Sequence, residues 1–224
     1  MPTVIAPVAT PQGPGRLLID AADDPVATLV LGHGAGGGPN ATDLDLLARR
    51  MPENGTTVVR FEQPWRTAGR RVATPPAKLD EAWLAAVHWL GKESLVRGPL
   101  FVGGRSAGAR VACRTADVVG PAGIICLAFP LHLPGRPEKS RIAELLQPRA
   151  PRLVLQGTSD TFGRAAEIKA AINEAGGIRL VELPGADHSF RVATSSSFTL
   201  ADLRAALLSE VTRFVDARLG IPSP

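Results

Sequence analysis

The chain has 224 residues, of which 45% are hydrophobic and 21% are charged. These proportions are typical of a globular protein and exclude a disordered chain, and the length suits one α/β domain over residues 1–224. The net charge of +4 comes from scattered arginines without a basic run, so nucleic acid is not an expected partner.

Short apolar runs alternate with longer helical patterns along the chain. Strands are predicted at 27–33, 56–61, 99–104, 122–129, 151–157 and 178–183. Most of these runs are apolar without a break, as in strands that helices cover on both faces. Helices are predicted at about 42–52, 77–93, 106–117, 140–147, 163–175 and 199–219. This order predicts an α/β fold with a mostly parallel open sheet, and the earlier runs TVIAPVAT and RLLID predict an antiparallel edge.

Local signals support two of the helices. Thr42 is placed to cap the first one. In the second, apolar residues recur at three- and four-residue steps, which indicates a core face; they are Leu79, Trp83, Val87 and Leu90. The stretches 62–76 and 130–140 lack periodicity. The segment after the predicted strand 122–129 has only about twenty residues, which is too short for a large cap domain.

The N-terminal stretch MPTVIAPVATPQGPG has neither a basic start nor a continuous apolar region, and no later segment approaches the roughly 18 apolar residues of a membrane span. We therefore expect a cytoplasmic protein that does not bind membranes. Cys113 and Cys126 lie in apolar sequence at no metal-ligand spacing. Buried reduced thiols are expected there, rather than a disulfide or a metal site.

Polar motifs follow four of the predicted strands. They are GHGAGGG at 32–38, GRSAG at 104–108, TSD at 158–160 and GADH at 185–188. Ligands of open α/β sheets bind outside the carboxyl ends of the strands, so these motifs are expected to meet there. Ser106, Asp160 and His188 then occur in the order nucleophile, acid, base.

The G-x-S-x-G pattern around Ser106 is weak evidence by itself, since the Gly and Ser frequencies of this chain give roughly one chance occurrence in ten such sequences. An ordinary strand-to-helix turn is the alternative interpretation. Its position between a predicted strand and a helix is the setting of a nucleophile elbow. His188 is suited to take the serine proton, and Asp160 to orient the imidazole. Asp187 is the rival acid, but it adjoins His188 and is badly placed to reach the far ring nitrogen.

An attacked carbonyl oxygen needs preorganised donors. The backbone amide of Ala107 is one candidate, and the second is expected from Ala35, aided by Gly36. A phosphate cradle is the alternative for this glycine-rich loop, but the loop lacks the G-K-[ST] ending of a P-loop and the acidic partner of a Rossmann fingerprint. His33 is interpreted as a structural hydrogen-bonding residue that shapes the loop.

Several further residues are candidates for substrate contact. Arginines near the predicted pocket would favour a carboxylate or phosphate on the substrate, and aromatic residues would form apolar walls. Packing or surface roles are the alternative for each of them. The candidates are Trp65, Arg66, Arg105, His132 and Phe190.

The chain resembles the α/β-hydrolase superfamily over nearly its whole length. The motifs HGAGGG, GGRSAG, FPLHLPGRPEK, GTSD and DHSF are similar to those of a small lidless branch near the dienelactone-hydrolase-like enzymes, with bacterial members and KANSL/TEX-type eukaryotic domains. The resemblance implies that Ser106 is the nucleophile, Asp160 the acid and His188 the base.

From the resemblance and the residues together, we expect a serine hydrolase of the carboxylesterase type. It would cleave a small-to-medium ester, thioester or lactone through an acyl-enzyme, without a metal or cofactor. A noncatalytic interaction domain on the same fold and a peptidase with the same three residues remain the alternatives.

Overall fold

A single eight-stranded sheet organises the protein. The structure, a computed structural model, describes residues 2–173 and 175–222. The strands are β1 (Val4–Thr10), β2 (Gly13–Asp20), β3 (Ala27–Gly32), β4 (Thr56–Glu62), β5 (Leu100–Arg105), β6 (Gly123–Leu127), β7 (Arg152–Gly157) and β8 (Ile178–Leu183). Their order across the sheet is β1-β2-β4-β3-β5-β6-β7-β8. From β4 to β8 all neighbours are parallel, whereas β1 and β2 form the antiparallel edge.

Helices cover both faces of the sheet. They are α1 (Thr42–Arg50), α2 (Pro64–Thr67), α3 (Pro76–Lys92), α4 (Ala107–Val119), α5 (Ile142–Leu146), α6 (Ala165–Ile172) and α7 (Leu200–Leu219). Side chains of α1 and α7 pack in one apolar cluster, and those of α3, α4, α5 and α6 pack in the other. The fold is therefore a three-layer α/β arrangement in which the strands are shielded on both sides.

The strands divide their side chains between the two clusters in alternation. In β3, Leu29 and Leu31 belong to the α1/α7 side, while Val30 belongs to the α3/α4 side. Because successive side chains of a strand point to opposite faces, an unbroken apolar run supplies both cores at once. Each large apolar side chain that is fully buried in this way contributes about 1.5–3 kcal/mol.

Sequence analysis predicted the sheet and its antiparallel edge correctly, but some local details were wrong. Thr42 does not cap α1: it is the first helical residue, and the cap position is held by Ala41 without a side-chain hydrogen bond. The aperiodic stretch 62–76 contains the short helix α2, which begins at Pro64. Proline suits that position because it has no N–H to leave unpaired. The helix predicted at 163–175 is shorter in the structure, where it spans Ala165–Ile172, and residue 174 of the predicted range lies outside the described residues.

The segment 128–151 between β6 and β7 contains only the five-residue helix α5 and no cap domain.

Cys113 and Cys126 are buried and unbridged, with their sulfur atoms 3.6 Å apart. Across residues 2–173 and 175–222, no helix is long and apolar enough to cross a membrane.

Three glycines allow α4 to begin directly against the sheet. A Cβ on Gly104 would lie 2.3 Å from the carbonyl oxygen of Gly32, and one on Gly108 would lie 2.2 Å from the same oxygen. A Cβ on Gly32 would in turn lie 3.1 Å from the Cα of Gly108. Real Cβ atoms do not approach backbone oxygens as closely as the first two distances require, so only glycine permits this packing of β3, β5 and α4.

This packing predicts that Gly108→Ala destabilises the protein. The added methyl group has rigid backbone as its neighbour and cannot be accommodated by a rotamer change, so we expect a loss of about 2–4 kcal/mol in the free energy of unfolding. Gly91→Ala is the matched control, because Gly91 is exposed on α3 with nothing within 4 Å. At that exposed helical position the same change should raise the free energy of unfolding by about 0.5–1 kcal/mol. Urea unfolding of both variants measures the difference, and equal effects would contradict the packing argument.

Candidate active site

Ser106 lies at a sharp corner between β5 and α4. Its backbone has φ 51° and ψ −110°, a strained conformation for a residue with a side chain. The corner is fixed because the Ser106 N–H donates to the carbonyl of Leu127 on the neighbouring strand at 2.9 Å, and Arg110 N–H donates to the carbonyl of Ser106. The hydroxyl is therefore projected from the sheet at the start of a helix, as a nucleophile elbow requires.

Ser106, His188 and Asp160 form one hydrogen-bonded chain. His188 Nε2 lies 2.9 Å from Ser106 Oγ, and His188 Nδ1 lies 2.8 Å from Asp160 Oδ2. Because a carboxylate can only accept, Nδ1 carries the proton and Nε2 is free to accept from the serine hydroxyl. The three residues stand 54 and 28 positions apart along the sequence, and parallel strand ends bring them together.

The Asp160 carboxylate is fully buried and its oxygens are well supplied with donors. Phe162 N–H donates to Oδ1 at 2.8 Å, while Gln156 Nε2 donates to Oδ2 at 2.9 Å beside His188. Three donors compensate the anion for the loss of water. Asp187, the rival acid, instead accepts from the N–H groups of Ser189 and Arg191 and shapes the local turn.

The imidazole of His188 is also held by an aromatic ring. Phe162 stacks on it with ring centroids 4.1 Å apart and an interplanar angle of 26°. The hydrogen bonds fix the ring at both nitrogens, and the stacked ring limits its tilt. His188 is thus oriented before any ligand is present.

The predicted anion-binding amides lie beside Ser106. Ala107 begins α4, and Ala35 and Gly36 form the exposed part of the glycine-rich loop after β3. Within the described part of the chain, the N–H groups of Ala35 and Ala107 donate to no protein acceptor. One unused donor at a helix N-terminus and one in the adjacent loop suit a developing oxyanion.

His33 helps to shape this loop through hydrogen bonds at both of its ring nitrogens. Gln63 N–H donates to His33 Nε2 at 3.1 Å, so Nε2 must be an unprotonated acceptor, and Nδ1–H donates to the Gly34 carbonyl at 2.9 Å. Burial lowers the pKa of His33 from its ordinary value near 6.5. The ring is a neutral structural link between β3, the Ala35 loop and the start of α2.

A cavity of about 380 Å³ opens over Ser106 and His188. It is lined by the loop from Gly34 to Gly37, by the start of α1 and by the first turns of α7. The apolar end of the cavity is defined here by its large apolar side chains: Leu46, Phe190, Leu200, Leu203 and Leu207. A larger cavity of about 480 Å³, near Asp20 and Arg60, lies away from these residues.

The predicted substrate-contact residues separate into two groups. Phe190 and Arg105 line the cavity, although the Arg105 guanidinium is already paired with Asp43 at 2.8 Å. Trp65 is buried and packs on His33, and Arg66 lines a separate cavity with Arg16 and Glu62. His132 is buried in the loop after β6, where it contacts Glu167. These last three therefore do not line the cavity over Ser106.

Sequence reasoning missed Gln156, Phe162 and Asp43. Gln156 carried a usable signal, since it is a polar side chain near the end of a strand, directly after the apolar run 153–155. Phe162 and Asp43 carried none, because each acts through contacts with residues far away in the sequence. Over the described ranges there is no group of three or more His, Cys, Asp or Glu side chains that could hold a metal ion.

Comparison with known families shows where the chain belongs. A family profile described as an alpha/beta hydrolase domain matches residues 25–216, which is most of the chain. The chain belongs to the α/β-hydrolase family. The matched range begins just before β3 and includes all four strand-end motifs of this α/β-hydrolase.

Solved structures share the fold of this α/β-hydrolase. A lidless α/β serine hydrolase from Xanthomonas campestris is 25% identical, with a TM-score of 0.73 over 100% of this chain and 97% of that one. An α/β serine hydrolase homologue from Coxiella burnetii is 22% identical, with a TM-score of 0.77 over 94% and 98% of the two chains. Est1E from Butyrivibrio proteoclasticus is 14% identical, with a TM-score of 0.75 over 96% and 99%.

The buried neutral state of His33 predicts a pH-dependent contribution to stability. Because the folded state lowers the pKa of His33, the unfolded chain binds a proton more readily as the pH falls below about 6.5. The contribution of neutral His33 to the free energy of unfolding is therefore complete above about pH 6.5 and decreases below it. We expect the difference in unfolding free energy between the wild type and His33→Gln to shrink from pH 8 to pH 5, measured by urea unfolding.

His88→Gln is the control, because His88 is exposed on α3. This replacement should leave the pH profile of unfolding as it is in the wild type. A stability difference at His33 that stays constant with pH would contradict the neutral, buried assignment.

Proposed function

We propose that the protein is a serine hydrolase of the carboxylesterase type. It would cleave small-to-medium esters, thioesters or lactones through an acyl-enzyme. The proposal rests mainly on one observation: Ser106, His188 and Asp160 are joined by hydrogen bonds of 2.9 and 2.8 Å at the base of an open cavity. Family membership and the fold of the serine hydrolase relatives support it.

In the first half of the reaction, His188 Nε2 takes the Ser106 proton as Oγ attacks the substrate carbonyl carbon. Asp160 stabilises the resulting imidazolium through the Nδ1–H bond. The carbonyl oxygen becomes an oxyanion, which the N–H groups of Ala35 and Ala107 receive, with Gly36 as an additional donor. Each such donor contributes about a hundred- to a thousandfold in rate.

The oxyanion then collapses, the bond to the leaving group breaks, and His188 returns the proton to the departing oxygen or sulfur. This leaves the acyl group on Ser106 Oγ. Water enters next, gives a proton to His188 and attacks the acyl carbon. Expulsion of Ser106, which regains its proton, releases the acid. All of these steps use the chain's own groups.

The cavity also supports a substrate of modest size. It measures about 380 Å³, within the range of small-molecule sites, and no cap encloses it in the part of the chain that the structure describes. The leucines of α1 and α7 suit a short aliphatic acyl chain, which would lie away from the glycine-rich loop. The two closely spaced free thiols are consistent with action in the cytoplasm.

Ser106→Ala tests the proposed nucleophile. We expect turnover of p-nitrophenyl acetate to fall by about a thousandfold or more, and labelling by a fluorophosphonate probe to disappear, because both require the Ser106 oxygen. Mass spectrometry of the labelled wild type should place the adduct on the peptide that contains Ser106.

Ser189→Ala is the matched control, because Ser189 lines the same cavity and adjoins His188. It should retain both turnover and labelling. Equal rates for the wild type and Ser106→Ala would instead indicate the noncatalytic interaction domain.

Leu46→Trp tests the apolar end of the cavity. Leu46 is half-buried and lines that end, so a larger ring should exclude longer acyl chains and spare acetate. Losing contact with two methylene groups costs about 1.6 kcal/mol, so the preference for butyrate over acetate in kcat/KM should fall by roughly tenfold. Leu84→Trp, on α3 and outside the cavity, is the control. An unchanged preference in Leu46→Trp would show that the acyl chain lies elsewhere.

A further inference from the structure

Arg105, the residue directly before Ser106, is held on three sides. Its guanidinium donates to Asp43 Oδ2 at 2.8 Å and to the backbone carbonyl of His188, and it lies 5.2 Å from the centroid of the Phe190 ring. The Arg105 side chain is only 12% exposed and that of Asp43 only 2%. Its contacts are therefore with the protein, although it borders the cavity.

The carbonyl that Arg105 holds belongs to a long irregular segment. We call residues 184–199, between β8 and α7, the base loop, because it carries His188. Within this loop Asp187 organises a local turn through Ser189 and Arg191, but those bonds tie the loop only to itself. Arg105 connects the His188 backbone to the strand that carries Ser106.

The imidazole and the backbone of His188 thus have separate supports. Asp160, Phe162 and Ser106 hold the ring, and Arg105 holds the main chain from which the ring extends. The base loop is also tied to the segment after β7, since Ser159 N–H donates to the Ala186 carbonyl at 3.0 Å and Gly185 N–H donates to Thr158 Oγ1 at 2.7 Å. Because Arg105 is bonded covalently to Ser106, its contact is the one that sets the separation of the His188 backbone from the Ser106 backbone directly. A geometry suited to proton transfer depends on that separation, because a shift of about 1 Å can cost roughly a hundredfold in rate.

Asp43 explains how a guanidinium can occupy this position. A neutral carbonyl alone would not compensate a nearly buried cation, whereas the buried carboxylate of Asp43 neutralises it. Asp43 lies in the first turn of α1, so the pair also fixes α1 against the base loop. The charge of Arg105 is used within the protein and is not offered to an anionic substrate.

We propose that Arg105 is a positioning residue for His188, with Asp43 as its anchor. This inference rests on the proposed hydrolase function for its kinetic readout. It assigns Arg105 no contact with the reacting atoms. Its removal is expected to lower kcat and to leave KM nearly unchanged.

The test replaces both charges together, so that no bare ion is left buried. In Arg105→Gln/Asp43→Asn we expect kcat for p-nitrophenyl acetate to fall by about 10- to 100-fold. Arg105→Lys keeps the positive charge but lacks the planar set of guanidinium donors, so its kcat should lie between those of the double variant and the wild type.

The matched control is Arg114→Gln/Asp80→Asn. These residues form an Arg–Asp ion pair that joins α4 to α3 outside the cavity, with 2.6 Å between the groups and side chains that are 16% and 22% exposed. Arg114 also contacts Glu144, which keeps Arg110 as its partner in the control. The control should lose comparable thermal stability but keep wild-type kcat. If kcat of the Arg105 double variant falls no further than that of the control, or if KM rises while kcat is kept, the positioning role is overturned.

A second readout does not need turnover. The proton on His188 Nδ1 that is shared with Asp160 should give a far-downfield NMR resonance, which His188→Gln identifies by its loss. We expect this resonance to shift or broaden in the Arg105 double variant and to persist in the control. An unchanged resonance overturns the positioning role. Absence of ester turnover or probe labelling in the wild type would refute the proposed function, and the resonance would then decide the role of Arg105 alone.

Discussion

The contact between the Gly32 carbonyl and two glycines of the serine motif is the constraint on which the site depends. Without Cβ atoms at Gly104 and Gly108, α4 begins close against β3, and the strand-to-helix corner at Ser106 becomes tight. That corner places Ala107 directly at the start of α4, and the glycine-rich loop after β3 lines the cavity over Ser106. The positions of the proposed nucleophile and of its candidate oxyanion donors therefore depend on one backbone packing arrangement.

The remaining geometry follows from the sheet. Asp160 and His188 come from the ends of β7 and β8, and each is separated from Ser106 by one or more strands. Parallel pairing places all three strand ends at one edge, so short loops suffice to join the side chains. Secondary contacts then restrain each group: Gln156 and Phe162 act on Asp160 and His188, and Arg105 acts on the base loop.

Much of this arrangement could be predicted from the sequence. Unbroken apolar runs identify strands that are covered on both faces, and polar motifs after those runs identify the edge where Ser106 and its partners meet. Contacts between side chains could not be predicted in the same way. Arg105 adjoins Ser106 in the sequence and its charge suggested a substrate anion, but the fold brings Asp43 to it from 62 residues away. Trp65 and His132 likewise pack within the protein, because pairing partners depend on the tertiary structure.

The stacking of Phe162 on His188 bears on how the imidazole can move during a reaction. A parallel aromatic neighbour 4.1 Å away opposes rocking of the ring out of its plane, but it resists sliding within that plane only weakly. A histidine that receives a proton from one oxygen and delivers it to another needs a small lateral displacement of this kind. By sliding across the face of the Phe162 ring, the imidazole could move Nε2 between the two oxygens while Nδ1 stays hydrogen-bonded to Asp160.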